Sequence, residues 1–271
     1  MNKYYKSRTS RFLISKYKKN PLFSIITVVK NNQNLILKTI KSIEHLKFKN
    51  FEYIIVDGNS EDSTLDYALT KKKKINYLIS EKDNGIYDAM NKGIKIANGS
   101  IVVFVNSGDT LTKNALTIIS KIFKKKKEID FVFGSVKRHY TKQTIHKYGF
   151  NAKRLRYNFD FATAHSTGFF MKKKSINKVG LYNTNYKCSS DYDYYYRTII
   201  KNNMLGASTR KSQLIGIVSS GGYSSKVSFM NHLLEECKIR LNNGQNIFLI
   251  TTLFFNAIIK NFIKFFYYRT L

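Results

Sequence analysis

Apolar positions in the first half of the chain alternate between two rhythms. An unbroken apolar run from Leu22 to Val29, following Pro21, predicts a buried strand. After a polar turn at Asn31 to Asn34, the residues Leu35, Ile36, Ile40 and Ile43 recur at helical spacing, which predicts a helix over Asn34 to Leu46. The same succession continues with a strand Phe51 to Val56, a helix Ser63 to Leu69, a strand Asn76 to Ser80 and a helix Ile86 to Ala97. Asn98-Gly99 supplies the C-terminal stop of that helix. A strand Ile101 to Val105, a helix Asn114 to Phe123 and a strand Phe131 to Phe133 complete the series, and the lysine run Lys71 to Lys74 reads as a solvated helix end. Strand and helix in alternation predict an α/β domain built on a largely parallel sheet. Ligands of such sheets gather outside the carboxyl ends of the strands. Asn31, Asp57 and Asp109 stand at three successive strand ends and are therefore candidates for one site. Each could equally close a turn or cap a helix.

The second half is less regular. Tyr140 to Phe161 reads as a loop-rich insertion with short strands, His165 to Met171 as a strand and Lys172 to Leu181 as a short helix. A helix over Ser190 to Ile200 opens with two carboxylates, Asp191 and Asp193, and Gly221-Gly222 marks a loop before an amphipathic helix Val227 to Leu241. The apolar segment Ile247 to Tyr268 reaches Lys260 without interruption by charge, too short for a span of about 20 residues. Asn256, Lys260 and Lys264 share one helical face, and Phe255, Ile258, Phe262 and Phe266 lie away from it. That pattern suits a basic amphipathic helix lying in a headgroup layer, or a helix packed on the domain.

Composition narrows the classes. With 271 residues the chain makes one large domain or two small ones, and 43% hydrophobic and 14% aromatic content excludes a disordered or fibrous chain. Cys188 and Cys237 are too few for a disulfide framework. Residues 1 to 20 carry seven basic groups and no apolar leader, and read as a basic arm before the fold. Residues 21 to 225 are expected to form the main domain, its first half ending near 135, with residues 226 to 271 as C-terminal helices. The net charge of +30 invites an anionic partner, or reflects coding bias toward lysine. Helix-turn-helix, RNP and zinc-spacing patterns are missing, so nucleic acid is not expected as a partner. Neither a Walker sequence nor G-x-G-x-x-G occurs, which argues against a P-loop NTPase and a dinucleotide enzyme.

Four places carry candidate chemistry. Asp109, in the Asn-Ser-Gly-Asp turn, can hold a hard divalent cation that bridges to phosphates. Asp57 can accept hydrogen bonds from a ribose or base. Glu81-Lys82-Asp83-Asn84-Gly85 precedes a helix start, where backbone N–H groups favour anions. Asp191 is a general base or a helix cap, and as a base its proton affinity must be raised by burial against the helix dipole.

Several of these stretches, in order, resemble the family 2 glycosyltransferases with the GT-A fold. They are Phe23-Ser24-Ile25-Ile26-Thr27-Val28-Val29-Lys30-Asn31-Asn32, Ile55-Val56-Asp57-Gly58-Asn59-Ser60-Glu61-Asp62-Ser63-Thr64, and Ser80-Glu81-Lys82-Asp83-Asn84-Gly85-Ile86-Tyr87-Asp88-Ala89-Met90-Asn91-Lys92-Gly93 with Ala97-Asn98-Gly99. Val105-Asn106-Ser107-Gly108-Asp109 sits where that family keeps its metal-binding D-x-D. The likeness covers about residues 22 to 112 and extends more weakly to about 225. It implies a GT-A, Rossmann-like mixed sheet and transfer of a sugar from a nucleotide-diphosphate donor, usually with inversion. It implies donor contacts from Thr27, Val29, Asn31, Asp57, Asn59, Asp83, Asn84, Gly85, Asp88, Asn91, Asn106 and Ser107. Mg2+ or Mn2+ would sit on Asp109, Asp191 would be the base, and His165 and Asp193 would face the acceptor. His165 is equally readable as a structural histidine. Gly58 stands where the family often has a second aspartate, Lys30 where an aromatic is common, and the D-x-D keeps one carboxylate. This pattern resembles the branch that builds surface polysaccharide or lipopolysaccharide, with glycan or lipid-linked acceptors. A cytoplasmic protein, peripheral on an anionic membrane face, is the matching expectation. A catalytically idle membrane adaptor with the same fold is the alternative.

Overall fold

The computed structural model describes residues 12–140, 143–159, 165–221 and 227–267. β1 (Phe12–Ser15) is followed by β2 (Phe23–Val29), α1 (Gln33–Glu44), β3 (Phe51–Asp57), α2 (Thr64–Thr70), β4 (Tyr77–Ser80), α3 (Ile86–Ile96) and β5 (Ile101–Phe104). Then come β6 (Thr110–Leu111), α4 (Ala115–Lys125), β7 (Phe131–Phe133), β8 (Ser135–His139), β9 (Thr144–Lys147) and α5 (Ala152–Tyr157). A 3-10 turn, Ser166–Gly168, leads into β10 (Phe169–Lys172), α6 (Lys173–Val179) and α7 (Ser190–Tyr196), which continues as a π-helical turn Arg197–Lys201. β11 (Gly206–Ser208), β12 (Leu214–Val218), α8 (Phe229–Asn242) and α9 (Ile247–Tyr267) close the order.

The main sheet runs β1-β4-β3-β2-β5-β10-β7-β11. Its centre, β4 to β5 through β3 and β2, is parallel, and β1 and β10 join it antiparallel. The central strand β2 is buried at all seven positions, which explains why it reads as a continuous apolar run. Its side chains alternate between two cores: Phe23, Ile25 and Val29 meet Ile36, Ile40 and Tyr53, whereas Ile26 and Val28 meet Met90, Ile94 and Phe104. A second sheet, β6-β12-β8-β9, stands beside the first.

The Ala97-Asn98-Gly99 signature has a packing cause. Glu52 is fully buried and its Oε1 accepts hydrogen bonds from Ser24 Oγ, Asn98 N and Gly99 N at 2.5, 2.5 and 3.1 Å. A Cβ on Gly99 would strike the backbone of Phe23 and Ser24, so only glycine fits.

Three expectations are corrected. Residues 12–15 of the segment read as a basic arm form an edge strand, with Phe12 opposite Ser80 and Ser15 opposite Tyr77. The strand expected from His165 starts at Phe169, because His165 caps the 3-10 turn by accepting from Thr167 N. The helix expected over 190–200 widens into the π turn after Tyr196. Residues 1–11, Gly222 and the side chains of Lys264 and Phe266 lie outside the described set.

The two C-terminal helices differ in their burial. α8 buries Leu233, Ile239 and Arg240. α9 buries Ile250 and Leu253 and leaves Phe248, Phe255, Ile259 and Phe262 exposed. Among the described residues no helix is long and apolar enough to cross a membrane.

Candidate active site

The carboxyl ends of β2, β3 and β5 do converge, and most of their polar groups bind one another. Asp57 is 1% exposed. Its carboxylate accepts from Ser60 N, Ser60 Oγ and Ser80 Oγ at 3.0, 2.5 and 2.6 Å. Asn31 and Asn59 take left-handed backbones with φ of 48° and 58°. The Asn31 side chain accepts from Glu61 N at 2.9 Å, and its own N–H donates to Ser60 Oγ at 2.9 Å. Asp57 and Asn31 thus fix the Gly58 to Glu61 turn. Thr27 is fully buried, donating to Val105 O at 2.7 Å, and Val29 is buried with its carbonyl accepting from Gly58 N. These two expected donor contacts are core positions.

Gly58 owes its identity to Asp83. A Cβ at position 58 would lie 2.9 Å from Asp83 Oδ2, so the carboxylate of residue 83 fills the space that a side chain at 58 would take. Asp83 is in turn held by Lys92, whose Nζ lies 2.6 Å from it, 2.9 Å from Glu81 and 3.5 Å from Asp88. Burial raises the proton affinity of Asp83 against the opposing pull of Lys92. Asp88 accepts from Asn84 N at 3.0 Å, just before Gly85, whose φ is 102°. The start of α3 is therefore flanked by Glu81, Asp83 and Asp88 around the ammonium of Lys92. Asn91 is also spent: its amide exchanges two 2.9 Å bonds with the backbone of Tyr182.

Asp109 is 4% exposed. Its Oδ2 accepts from Thr167 Oγ1 at 2.6 Å and its Oδ1 from Ser219 N at 2.9 Å. The carboxylate expected to hold a metal instead ties the donor turn to two later segments. The hard oxygens left over in that turn are Asn106 Oδ1 and Ser107 Oγ, both buried without a hydrogen-bond partner. Among the described residues, no three His, Cys, Asp or Glu side chains cluster as a metal site. His165 Nδ1 lies 3.8 Å from Asp109 Oδ2, and burial lowers its proton affinity although Asp109 opposes this. Accepting from Thr167 N fixes Nδ1 as the unprotonated ring nitrogen.

Asp191 differs from all of these. Its Oδ1 accepts from Tyr192 N at 2.9 Å and lies 3.3 Å from the Tyr87 hydroxyl, which also reaches Cys188 O at 3.0 Å. Its Oδ2 has no hydrogen bond among the described residues. Burial raises the carboxyl above its ordinary range, and His165 and His232 oppose that rise from either side. Asp193, two residues on, is 2% exposed and fully engaged, by Arg197 Nε at 2.7 Å and Asn243 Nδ2 at 3.2 Å. It is a structural anchor rather than an acceptor contact. Asp109, His165 and Asp191 thus share one electrostatic neighbourhood, with Asn106 and Ser107 in the turn that carries Asp109 and Asn106 Nδ2 donating to Ser166 Oγ at 3.2 Å.

Groups on α8 hold this neighbourhood from the far side. Glu235 accepts the N–H groups of Lys187, Cys188 and Ser189 at 2.7, 2.8 and 2.7 Å. Burial and that carboxylate push the Cys188 thiol up to about 12, so it stays protonated. Arg240, fully buried, donates to Tyr192 OH, Gln245 and the carbonyls of Leu155, Arg156 and Asn158. Sequence reading missed these groups because a charged residue on an amphipathic helix looks solvated. Beside the second sheet, a hollow of about 610 Å³ is lined by Lys137, His146, Arg210, Lys211, Ser212 and Leu214, with no carboxylate in its wall.

Comparisons with known proteins identify the family and the fold. The PGL/p-HBAD biosynthesis glycosyltransferase of Mycobacterium bovis is 27% identical over 183 residues, 65% of this chain and 69% of that protein. An uncharacterized glycosyltransferase of Rickettsia conorii, RC0461, is 35% identical over 43% of this chain and 19% of its own. Among solved structures, S. aureus TarS 1-349 in complex with UDP-GlcNAc has a TM-score of 0.67 at 16% identity, over 87% of this chain and 71% of that one. The mannosyltransferase PcManGT of Pyrobaculum calidifontis, with GDP-Man and Mn2+, has a TM-score of 0.62 at 16% identity, over 88% and 69%. The family model Glycosyl transferase family 2 matches residues 24–183, which run from the buried start of β2 to the segment that Asn91 clasps. With more than half of its length under that model, and with the GT-A architecture, this chain belongs to glycosyl transferase family 2 and is a glycosyltransferase.

Proposed function

We propose that this protein moves a sugar from a nucleotide-diphosphate sugar to a hydroxyl of a glycan or lipid-linked acceptor, with inversion, in the assembly of cell-surface polysaccharide. One observation carries the reading: Asp191 keeps one oxygen fixed by Tyr87 and Tyr192 and the other free. A carboxylate held in this way, with proton affinity raised by burial, suits a general base. Asp191 takes the acceptor proton as the acceptor oxygen bonds to the sugar's anomeric carbon. The bond from that carbon to the donor phosphate breaks, and its electron pair leaves with the diphosphate. The UDP-GlcNAc and GDP-Man complexes of the structural neighbours support a nucleotide-sugar as donor.

A divalent cation, Mg2+ or Mn2+, fits the Asn106 to Asp109 turn by the chemistry of its unpartnered oxygens. Asn106 and Ser107 would hold it, and Asp109 would set the turn. When bound, such a cation neutralises charge gathering on the diphosphate. Neutral His165 stands beside it as a hydrogen-bonding group for sugar or phosphate. The exposed apolar stripe of α9, on a chain of +30 charge, supports peripheral attachment to an anionic membrane from the cytoplasmic side.

The test is a transfer assay with UDP- and GDP-sugars and glycan or lipid-linked acceptors, with and without Mn2+. Donor-dependent product or donor hydrolysis that Asp191→Asn abolishes supports the reading. Failure to bind any nucleotide supports an idle adaptor, the second reading, which the engaged carboxylate of Asp109 favours.

A further inference from the structure

The second sheet has two unlike faces. One packs toward the turn that carries Thr167: a Cβ on Gly168 would lie 3.1 Å from Val136 Cγ1, and one on Gly216 would lie 3.1 Å from Thr167 Cγ2. Side chains alternate along a strand, so Ser135 and Lys137 of β8 point the other way. His146 of β9 stands opposite Lys137 and joins that second face, where its Nε2 lies 2.6 Å from Ser135 Oγ. Here lies the hollow of about 610 Å³ lined by Lys137, His146, Arg210, Lys211, Ser212 and Leu214.

The turn that brings Arg210 and Lys211 to the hollow is pinned to the sheets. Thr209 Oγ1 accepts from Ser135 N at 2.7 Å, Thr209 N donates to Phe133 O at 2.9 Å, and Gln213 N donates to Arg210 O at 2.9 Å. The Gln213 side chain in turn accepts from Arg210 N at 3.1 Å. Lys211 Nζ sits 5.2 Å from the centre of the Tyr148 ring, and that ring lies 5.5 Å from the His146 ring. Three cations thus line one concavity. Among the described residues none of Lys137, Arg210 and Lys211 pairs with a carboxylate. Like charges held together without a counter-charge repel, so an anion between them is favoured. Burial and the charges of Lys137 and Lys211 hold His146 below its ordinary value, which reports the same uncompensated field.

We propose that this hollow is a binding site for a phosphate ester, separate from the sugar-transfer cleft. Arg210 supplies a fork that matches phosphate oxygens, Lys137 and Lys211 supply point charges, and the Ser212 hydroxyl supplies a further donor. The volume suits a phosphate with an organic group attached rather than a bare ion. A lipid headgroup and a soluble phosphorylated compound share that chemistry. The site goes beyond the transfer reaction and does not depend on the role of Asp191.

Histidine-ring NMR of the full chain tests this, with glycerol phosphate as the soluble probe. Sedimentation with phosphatidylcholine vesicles, with or without phosphatidic acid, is the lipid arm. The signal lost in His146→Gln identifies residue 146. The expected result is a saturable shift of that signal with glycerol phosphate, or retention by the vesicles that contain phosphatidic acid. Lys137→Ala, Arg210→Ala and Lys211→Ala combined remove three exposed charges and weaken the binding by about tenfold or more. Lys72→Ala, Lys73→Ala and Lys74→Ala combined remove the same charge beside β4, on the other side of the main sheet, and change the affinity by less than about twofold at physiological salt. A loss seen with glycerol phosphate assigns a soluble ligand, and a loss confined to the vesicles assigns a lipid headgroup; either supports the site. No saturable response to either probe, or equal weakening in the two triple variants, overturns it. Glucuronate, a carboxylate without phosphate, binding as tightly as glycerol phosphate overturns the assigned ligand class.

Discussion

The strand-end loops of the first half and the α7–α8 interface of the second are both rich in acidic groups, yet they use them in opposite ways. In the loops, both oxygens of Asp57 and of Asp109 accept hydrogen bonds, from serines or from Thr167 and Ser219, and Asp83 and Asp88 pair with Lys92. At the interface, Asp191 Oδ2 accepts no hydrogen bond among the described residues. The comparison teaches that a carboxylate at the end of a strand is not by itself an active group. What separates scaffold from chemistry is whether the structure has already satisfied the charge.

Asp191 and Asp193 give the sharpest form of that comparison, and the largest effect. Asp191→Asn is expected to lower kcat by about 100-fold or more, with thermal unfolding unchanged. Asp193→Asn leaves Arg197 half-buried without its partner, so it should lower the melting temperature and spare much of the activity per folded molecule. Equal loss of kcat in both, at equal stability, would erase the distinction. Next comes Arg240→Ala, which removes the fully buried guanidinium that donates to the buried Leu155 carbonyl, the Asn158 carbonyl and the Tyr192 hydroxyl. A loss of about 3–5 kcal/mol is expected in urea unfolding, enough to test whether α8 belongs to the fold.

Smaller effects probe the base itself. Tyr87→Phe removes a donor that favours ionised Asp191, so the acid limb of kcat/KM should move to higher pH, with kcat down several-fold. Movement to lower pH would contradict the assigned hydrogen bond. The smallest effect is on stability against pH. Glu235 is held below its usual value by Cys188 and three backbone N–H groups. Its folded pKa is depressed, so its stabilisation is present above the unfolded value of 4.5 and fades as pH falls through the folded one. Urea midpoints measured between pH 7 and pH 3 should converge for wild type and Glu235→Gln at the acid end.

Much of the fold was legible in the chain. The strands from Phe23 to Phe133 are long apolar runs between turn residues, and the structure places their ends within a residue or two. β1, β6, β8, β11 and β12 were not read: they lie outside the strand–helix alternation that exposed β4, β5 and β7, and pairing with distant segments makes them strands. The site was legible in part. Motif order led to Asp191, and its surroundings raise its proton affinity as a base requires. The hydrogen bonds of Asp109 were not legible because its partners, Thr167 and Ser219, lie 58 and 110 residues away. Glu235 gave no signal, since an acid on an amphipathic helix reads as part of a wet face.

The joint between the last two helices is short and stiff. Gly244 turns with a φ of 79°, Gln245 N–H bonds back to Arg240 O at 3.0 Å, and its side chain accepts from the Arg240 guanidinium at 2.7 Å. α8 therefore acts as a rigid strut, and from Glu236 to Asn242 it measures about 9 Å at 1.5 Å per residue. Under the proposed membrane attachment, the surface that α9 settles on would set the height of Asp191 above it, and headgroup bulk would become a geometric variable of the proposed reaction.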